Sequence, residues 1–176
     1  ILALRLTPQS VSVWGQANTV QGAENSGNRF ALFETWARLR LSDQWSLKLG
    51  RQVISLDDER FFGELDWAQG GRAHDALTLQ YDKNQLVLKG FLAYNQNYKA
   101  IYGNNISNPS GNLYSTNDAF SYKLMQTIWA GFSVDKKSTL SFLATNLGLQ
   151  QADSANEAAE TYYSQTFGAN YFLNSN

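Results

Sequence analysis

A chain of 176 residues with a net charge of −1, 43% hydrophobic residues and 14% aromatic residues is long enough for one domain. It has no cysteine, which excludes a disulfide framework and a thiolate metal site, and it has no run of 18 apolar residues that could form a transmembrane helix. An aromatic-rich chain that is hydrophilic on average favours alternating strands over strands buried on both faces.

Apolar residues recur at every second position over nine segments, which is the period of a half-buried β-strand. These segments are residues 1–6, 10–18, 29–41, 45–49, 77–81, 85–95, 119–134, 139–149 and 162–173. Residues 7–9 are predicted as a turn, because Pro8 cannot donate to the ladder of a central strand. Several segments reach 10 residues or more, whereas strands of soluble domains average about 5–6.

The connections between the predicted strands alternate between short polar turns and long loops. Short turns are predicted at residues 42–44, 82–84 and 135–137, and long loops at residues 57–72, 96–118 and 150–161. Outer-membrane barrels combine this asymmetry with spanning strands of about 9–11 residues. The pattern favours an all-β, antiparallel up-and-down transmembrane barrel, of which about nine strands are present. A soluble β-sandwich or lipocalin-like barrel explains the alternation but neither the strand lengths nor the asymmetry.

The start and end of the chain indicate an internal segment of a longer protein. Residue 1 lies inside a predicted strand without a preceding signal peptide, and the chain ends abruptly at residue 176. Residues 1–176 are therefore expected to be part of one barrel domain that is incomplete at both ends.

In such a barrel the apolar face of each strand meets lipid and the polar face meets the lumen. Over residues 119–134, Phe120, Tyr122 and Ile128 are expected to face lipid, and Lys123 and Thr127 the lumen. An arginine at Thr127 is accordingly expected to cost little. Aromatic residues near strand ends suit the girdles at the membrane surfaces, and they are Trp45, Tyr81, Tyr94, Phe132 and Tyr171.

The alternation slips beside Gly50, where Arg51 falls in phase with the apolar Leu49. A β-bulge at Gly50 would return Arg51 to the polar face. A second slip near Asp75 mirrors the first, so both charged residues are expected on the polar face.

Basic residues outnumber acidic ones on the predicted strands. The strand-borne cations are Arg5, Arg38, Arg40, Lys48, Arg51, Lys89 and Lys123. The strand-borne acids are Glu34 and Asp75, and the other acids lie mainly in turns and loops. The sequence thus predicts a basic lumen, which lowers the cost of bringing an anion through. The alternative is that these cations pair within the lumen wall, partly with acids from strands outside this segment.

Four motifs between the predicted strands at residues 45–49 and 77–81 resemble the alginate export family of outer-membrane barrels. They are Gly50-Arg51-Gln52, Asp58-Glu59-Arg60-Phe61-Phe62-Gly63, Asp66-Trp67, and Gly71-Arg72 followed by Asp75. The resemblance covers residues 34–82. It implies a monomeric antiparallel barrel of about 18 strands, with an arginine-rich conduit for an acidic polysaccharide. It also implies that Arg51, Arg60 and Arg72 are lumenal or constriction residues and that Asp75 is their partner.

The loop at residues 57–72 is unusually apolar for a solvent-exposed connection. Its large apolar residues are Phe61, Phe62, Leu65 and Trp67. Its acids, which can pair with Arg60 and Arg72, are Asp57, Asp58, Glu59, Glu64 and Asp66. The loop is therefore predicted to fold against the barrel wall or into its mouth. The alternative is a lid that only protects the rim.

Neither catalysis nor a metal is expected. His74 is the only histidine and precedes Asp75, but adjacent residues of a strand point to opposite faces and cannot act together. The loop acids offer oxygen ligands for Ca²⁺, yet they lack EF-hand spacing, and ion pairs with the arginines explain them equally well. No cofactor is implied.

The sequence therefore predicts a porin-like transport channel in the outer membrane of a Gram-negative bacterium. Its expected partners are membrane lipid and an anionic solute or polysaccharide, and not nucleic acid. The alternatives are a nonspecific structural porin and, with less support, an outer-membrane enzyme. The expected lumenal residues are Arg38, Arg40, Lys48, Arg51, Arg60, Arg72, Asp75, Lys89 and Lys123.

Overall fold

The computed structural model describes residues 1–11, 29–64, 71–94, 122–150 and 161–173, and all regular structure in these ranges is β-strand. The strands are β1 (Leu2–Val11), β2 (Arg29–Arg40), β3 (Trp45–Gln52), β4 (His74–Lys83), β5 (Leu86–Tyr94), β6 (Leu124–Ser133), β7 (Ser138–Gln150) and β8 (Thr161–Leu173). Each strand pairs antiparallel with the next in one sheet that is not closed. The all-β, antiparallel up-and-down topology is confirmed. In the described ranges, no helix is long and apolar enough to cross a membrane.

The connections alternate between long and short along the whole sheet. Short turns join β2 to β3, β4 to β5 and β6 to β7, and long connections join the other neighbours. Because antiparallel strands reverse direction at each step, the short turns lie at one end of the sheet and the long connections at the other. We call these the turn end and the loop end. Asn84 has a φ of 55° in the two-residue turn between β4 and β5, a conformation that asparagine tolerates well.

The turn predicted at residues 7–9 is wrong. β1 continues through Pro8 to Val11, and its pairing with β2 shifts register between Thr7 and Pro8. Pro8 is tolerated because β1 is an edge strand and the irregularity accommodates its missing N–H. The described ranges therefore hold eight strands rather than nine, and residues 12–18 of the predicted second strand lie outside them.

Strict alternation gives the sheet two chemically different faces. One of them, which we call the apolar face, leaves large hydrophobic side chains exposed on every strand. They include Leu2, Leu4, Leu6, Leu39, Trp45, Leu49, Leu79, Leu92, Tyr94, Ile128, Phe132, Phe142, Tyr163, Phe167, Tyr171 and Leu173. Isolated exposed leucines are ordinary, but a continuous apolar patch of this extent marks an interface.

The opposite face, which we call the polar face, is partly covered by residues 53–64, the inner segment. Three buried residues of the inner segment, Ile54, Leu56 and Phe62, form a core cluster with residues of β4 to β7. Their partners in the sheet are Ala76, Phe91, Ala93, Met125 and Leu143. The prediction that the loop at residues 57–72 folds against the sheet is confirmed for Phe62, which is buried, but Phe61, which was expected to be covered, is 52% exposed. Leu65 and Trp67 lie outside the described residues.

The bulge predicted at Gly50 is also wrong. β3 and β4 pair in unbroken register from Trp45 opposite Tyr81 to Gln52 opposite His74. Gly50 instead meets a close approach, since a Cβ added there would lie 2.2 Å from the carbonyl oxygen of Thr35 and the residue has a φ of +123°. Only glycine fits both conditions.

Two further expectations, the face of Tyr122 and the cost of an arginine at Thr127, are wrong. Tyr122, expected on the lipid side, packs against the core cluster, because a bend at Lys123 separates it from the start of β6. Thr127 lies on the polar face, but only 2% of it is exposed and its hydroxyl contacts that of Thr145 at 2.6 Å. The polar face is covered here, so an arginine at Thr127 would be costly rather than cheap. Ile128 lies on the apolar face as expected, and Phe120 lies outside the described residues.

Candidate functional site

A cavity of about 100 Å³ lies between the polar face of β2 to β5 and the start of the inner segment. We call it the basic cavity, because its lining includes three cationic side chains and no carboxylate. The lining residues are Arg38, Ser46, Lys48, Gln52, Val53, Ile54, Ser55, Thr78, Gln80, Lys89 and Phe91. The strand residues reach it because they share the polar phase of their strands, and the inner segment closes one side.

Two of the cations face each other directly. Arg38 of β2 pairs across the ladder with Lys48 of β3, an arrangement that is unfavourable because like charges lie side by side. The Trp36 ring offsets part of this cost, since Arg38 and Lys48 lie 5.3 and 5.0 Å from its centroid. The negative face of an indole attracts a cation without neutralising its charge.

The third cation is held in the same way. Lys89 of β5 has its Nζ 5.1 Å from the ring centroid of Trp129 on the neighbouring strand β6. All three cations of the basic cavity are therefore supported by tryptophan rings. An ammonium or guanidinium held over a ring keeps N–H groups that can donate to an anionic ligand.

The strand acid Glu34, which acts on Lys48, is already engaged. Glu34 is 5% exposed, lies 2.7 Å from Nε of Arg5 and accepts a hydrogen bond of 3.0 Å from Nε1 of Trp36. In the described part of the chain, neither Lys48 nor Lys89 forms an ion pair within 4.0 Å. Glu34, Asp57 and Asp82 act on these lysines only at longer range. The basic cavity therefore keeps an excess of positive charge.

A buried amide fixes the floor of the basic cavity. Gln52 is fully buried, and its Nε2 donates to the carbonyl oxygens of Ala76 at 2.7 Å and Gly50 at 3.2 Å. Its Oε1 accepts a hydrogen bond of 2.8 Å from Oγ1 of Thr78. A fully satisfied polar network of this kind holds its members in one arrangement. The side chains of Gln52 and Thr78 thus present a fixed neutral surface beside the lysines.

Only part of the expected lumenal set comes together here. Arg38, Lys48 and Lys89 line the basic cavity. Arg40 instead folds back into the β2–β3 turn, where it contacts Asp43 at 3.2 Å and two backbone carbonyls. Arg60 is exposed on the inner segment and pairs with Asp58 at 3.0 Å. Two other predicted residues lie at the loop end, outside the cavity lining: Arg72, which precedes β4, and Lys123, which precedes β6.

Arg51 and Asp75 form the expected pair, but on the other face. The guanidinium donates to both carboxylate oxygens, at 3.0 and 2.8 Å. Unbroken register keeps both residues in phase with Leu49 and Leu77 on the apolar face. A bidentate pair removes most of the net charge, which is why the two residues can share this face.

The remaining candidates have structural partners. Nδ1 of His74 lies 2.6 Å from the hydroxyl of Tyr122 on the polar side, while Asp75 points to the apolar face. The two adjacent side chains therefore do not meet, as expected. Among the described residues, no group of three or more His, Asp or Glu side chains could hold a metal ion.

Trp36 and Trp129 are not among the residues predicted for the site. Both share the polar phase with the strand cations, so the alternation that placed Arg38 and Lys89 also places them. An aromatic residue in the polar phase next to a cation is the signal that was available.

No protein-family model, curated protein or solved structure matches this chain. The resemblance of residues 34–82 to the alginate export family therefore depends on the motifs alone. The chemistry of the candidate site depends on the two faces of the sheet and on the basic cavity.

Proposed function

We propose that this sheet is part of the wall of an outer-membrane β-barrel, and that its polar face conducts anionic solutes or an acidic polysaccharide. The observation that carries the proposal is the pairing of an exposed apolar face with a basic cavity on the opposite face of the same eight-stranded sheet. Such a channel is passive, so the proposal involves no catalytic step and no cofactor.

The dimensions of the apolar face support contact with a bilayer. β6 has 10 residues, and at about 3.4 Å per residue and a tilt of about 40° it spans roughly 23 Å along the membrane normal. The apolar band of outer-membrane barrels is about 25 Å tall and is flanked by aromatic girdles. On this face, aromatic residues lie at both ends of the strands: Trp45, Tyr81, Phe132 and Tyr171 at the turn end, and Tyr94 and Tyr163 at the loop end.

The polar face supports the preference for anions. Arg38, Lys48 and Lys89 are held over indole rings rather than paired with carboxylates. At about 4 Å and a water-like dielectric, one such charge attracts an anion by about 1 kcal/mol, or about fivefold in occupancy. Carboxylates of an acidic polysaccharide would meet the same donors, in agreement with the alginate export resemblance.

Reversal potentials of the complete barrel that contains this sheet, reconstituted in planar bilayers under a salt gradient, test the proposal. Replacing Arg38, Lys48 and Lys89 by glutamine is expected to lower the anion-to-cation permeability ratio several-fold. A matched variant removes the same number of charges outside the cavity lining, at Arg40, Arg60 and Arg72, and a smaller shift is expected. Both effects should fade at 1 M salt, where the Debye length is about 3 Å.

Two outcomes would contradict the proposal. A wild-type channel that prefers cations would show that the basic cavity does not set the ion selectivity. Equal shifts in the two triple variants would mean that net charge alone sets selectivity, as in a nonspecific structural porin.

A further inference from the structure

The carboxylate of Asp57 links the inner segment to strands β6 and β7 of the sheet. Both of its oxygens accept from Nε1 of Trp129 on β6, at 3.1 and 3.0 Å. Oδ1 also accepts a hydrogen bond of 2.6 Å from Oγ of Ser141 on β7. The neighbouring acids do not reach these donors: Asp58 pairs with Arg60, and Glu59 accepts from Ser55 at 2.7 Å.

The groups that donate hydrogen bonds to Asp57 lie on β6 and β7, and the pairing of these two strands fixes their positions. Ser141 is 2% exposed and lies opposite Gly131, two residues from Trp129 on the same strand and face. The Trp129 ring carries Lys89 at 5.1 Å from its centroid, and the charges of Lys89 and Asp57 attract each other. The indole N–H and the hydroxyl form a preorganised receptor for one carboxylate, and the ammonium of Lys89 attracts the carboxylate at longer range.

The acceptor in these hydrogen bonds, Asp57, lies on an element that is held less firmly than the strands. Asp57 has a φ of 54° in a tight turn of the inner segment, and the residue is exposed to solvent. A carboxylate presented by a turn is more easily displaced than donors fixed between paired strands.

We propose that Trp129 and Ser141 form a carboxylate-binding site on the polar face, in which Asp57 acts as an internal ligand. A soluble carboxylate occupies the same donors when Asp57 is absent, and competes with it when both are present. The delivery of such a solute through the lumen rests on the proposed function. The binding site itself does not depend on conduction, and chemical rescue with formate measures its occupancy without any measurement of conduction.

Chemical rescue of an Asp57→Gly variant of the full chain in detergent micelles tests this site. Glycine accepts the positive φ and leaves the carboxylate position open. The readout is the indole N–H resonance of Trp129 in ¹H–¹⁵N spectra, assigned with Trp129→Phe. We expect the substitution to shift this resonance, and sodium formate to return it towards the wild-type position in a saturable way, whereas sodium chloride does not.

Matched variants separate binding at this position from a general salt effect. Asp57→Asn fills the position with a neutral group of the same shape, so no saturable response to formate is expected. Asp58→Gly removes the adjacent acid, and the Trp129 resonance should stay at its wild-type position. In the Asp57→Gly background, Ser141→Ala should weaken formate binding about tenfold, the effect of losing one hydrogen bond to a charged group.

The proposal is overturned if formate and chloride act alike on Asp57→Gly, or if that substitution leaves the Trp129 resonance unchanged. If Asp57→Gly does not fold without additive, the yield of folded protein becomes the readout. That yield should then rise with formate and not with chloride, and an equal response to both salts refutes the site.

Discussion

Ile128 offers a direct test of what covers the apolar face. It is 65% exposed and lies near the middle of β6, between Gly90 and Ala144 on the neighbouring strands. In water, a substitution at so exposed a position changes the free energy of unfolding by no more than about 0.5 kcal/mol. In a bilayer, an arginine near the midplane costs about 2–4 kcal/mol. The two environments therefore give clearly different expectations for Ile128→Arg.

The depth of the site within the strand sets the expected magnitude. Ile128 is four residues from Leu124 and five from Ser133, the two ends of β6. At about 3.4 Å per residue and a tilt of about 40°, it lies roughly 10–13 Å from either end. This is close to half of an apolar band of about 25 Å, so the full midplane cost applies. Phe132, on the same strand and face but near the turn end, should cost only about 0–1 kcal/mol when replaced by arginine.

Reversible urea unfolding in lipid vesicles, followed by tryptophan fluorescence, gives both free energies. We expect Ile128→Arg to cost at least about 1 kcal/mol more than Phe132→Arg. Equal costs at the two depths, or a negligible cost at Ile128, would show that the apolar face does not meet lipid. The polar-face neighbour Thr127 is not a suitable control, because it is buried.

Three further expectations concern stability. Gly50→Ala should destabilise by about 1–3 kcal/mol because of its positive φ and the nearby backbone, whereas Gly90→Ala, which meets open space, should be neutral or stabilising by up to about 1 kcal/mol in the same unfolding assay. A double-mutant cycle on Arg51 and Asp75 should give a coupling above the roughly 0.2–1 kcal/mol of a surface pair if the apolar face meets lipid, and a smaller value would argue for water. Backbone N–H groups two and three residues on hold the pKa of Asp135 below its usual range, so its contribution to stability should be present above about pH 4 and be lost as the pH falls through the lowered pKa, as NMR titration and unfolding can show.

Strand positions and faces could be predicted because one property repeats at every second residue. The predicted strand at residues 162–173 is β8 at Thr161–Leu173, and residues 139–149 are β7 at Ser138–Gln150. A slip of one residue would move the apolar set to the wrong face, so the pattern leaves little freedom in register.

The errors arose where a distant neighbour decides the local conformation. Pro8 breaks a central strand but not an edge strand, and the sequence does not say which strand is at the edge. Arg51 was predicted on the polar face because an unpaired charge is unfavourable among apolar side chains. In the structure it forms a bidentate pair with Asp75, and this pair is compatible with the apolar face. Tyr122 follows the predicted alternation, but β6 begins only at Leu124.

The candidate site was predicted in its charges but not in its geometry. Arg38, Lys48 and Lys89 were expected on one face, and they line one cavity. The indole rings that hold them, and the segment that closes the cavity, depend on contacts between strands that are far apart in the sequence. Periodicity assigns a face to a residue but not its neighbours on that face.

Some residues in the polar phase of the strands are apolar, and they indicate that part of the polar face is covered. Phe91, Met125 and Leu143 lie on the polar face and are buried. A water-filled lumen would leave such side chains exposed at a cost of about 1.5–3 kcal/mol each. Their presence requires an apolar cover, and Ile54 and Phe62 of the inner segment provide it. The sheet and the inner segment are thus complementary in sequence.

Because the inner segment contacts both anion sites, anion binding should affect its docking on the sheet in two opposite ways. Val53, Ile54 and Ser55 form one side of the basic cavity, so an anion bound there contacts the docked segment and stabilises it. A carboxylate bound at the proposed site on Trp129 and Ser141 replaces Asp57, so it favours release of the segment. By linkage, each ligand shifts the docking equilibrium only by its difference in affinity for the two states. A small inorganic anion that fits the basic cavity and a carboxylate that fits the Asp57 position should therefore antagonise each other. Independent binding of the two would mean that the inner segment stays docked in both complexes.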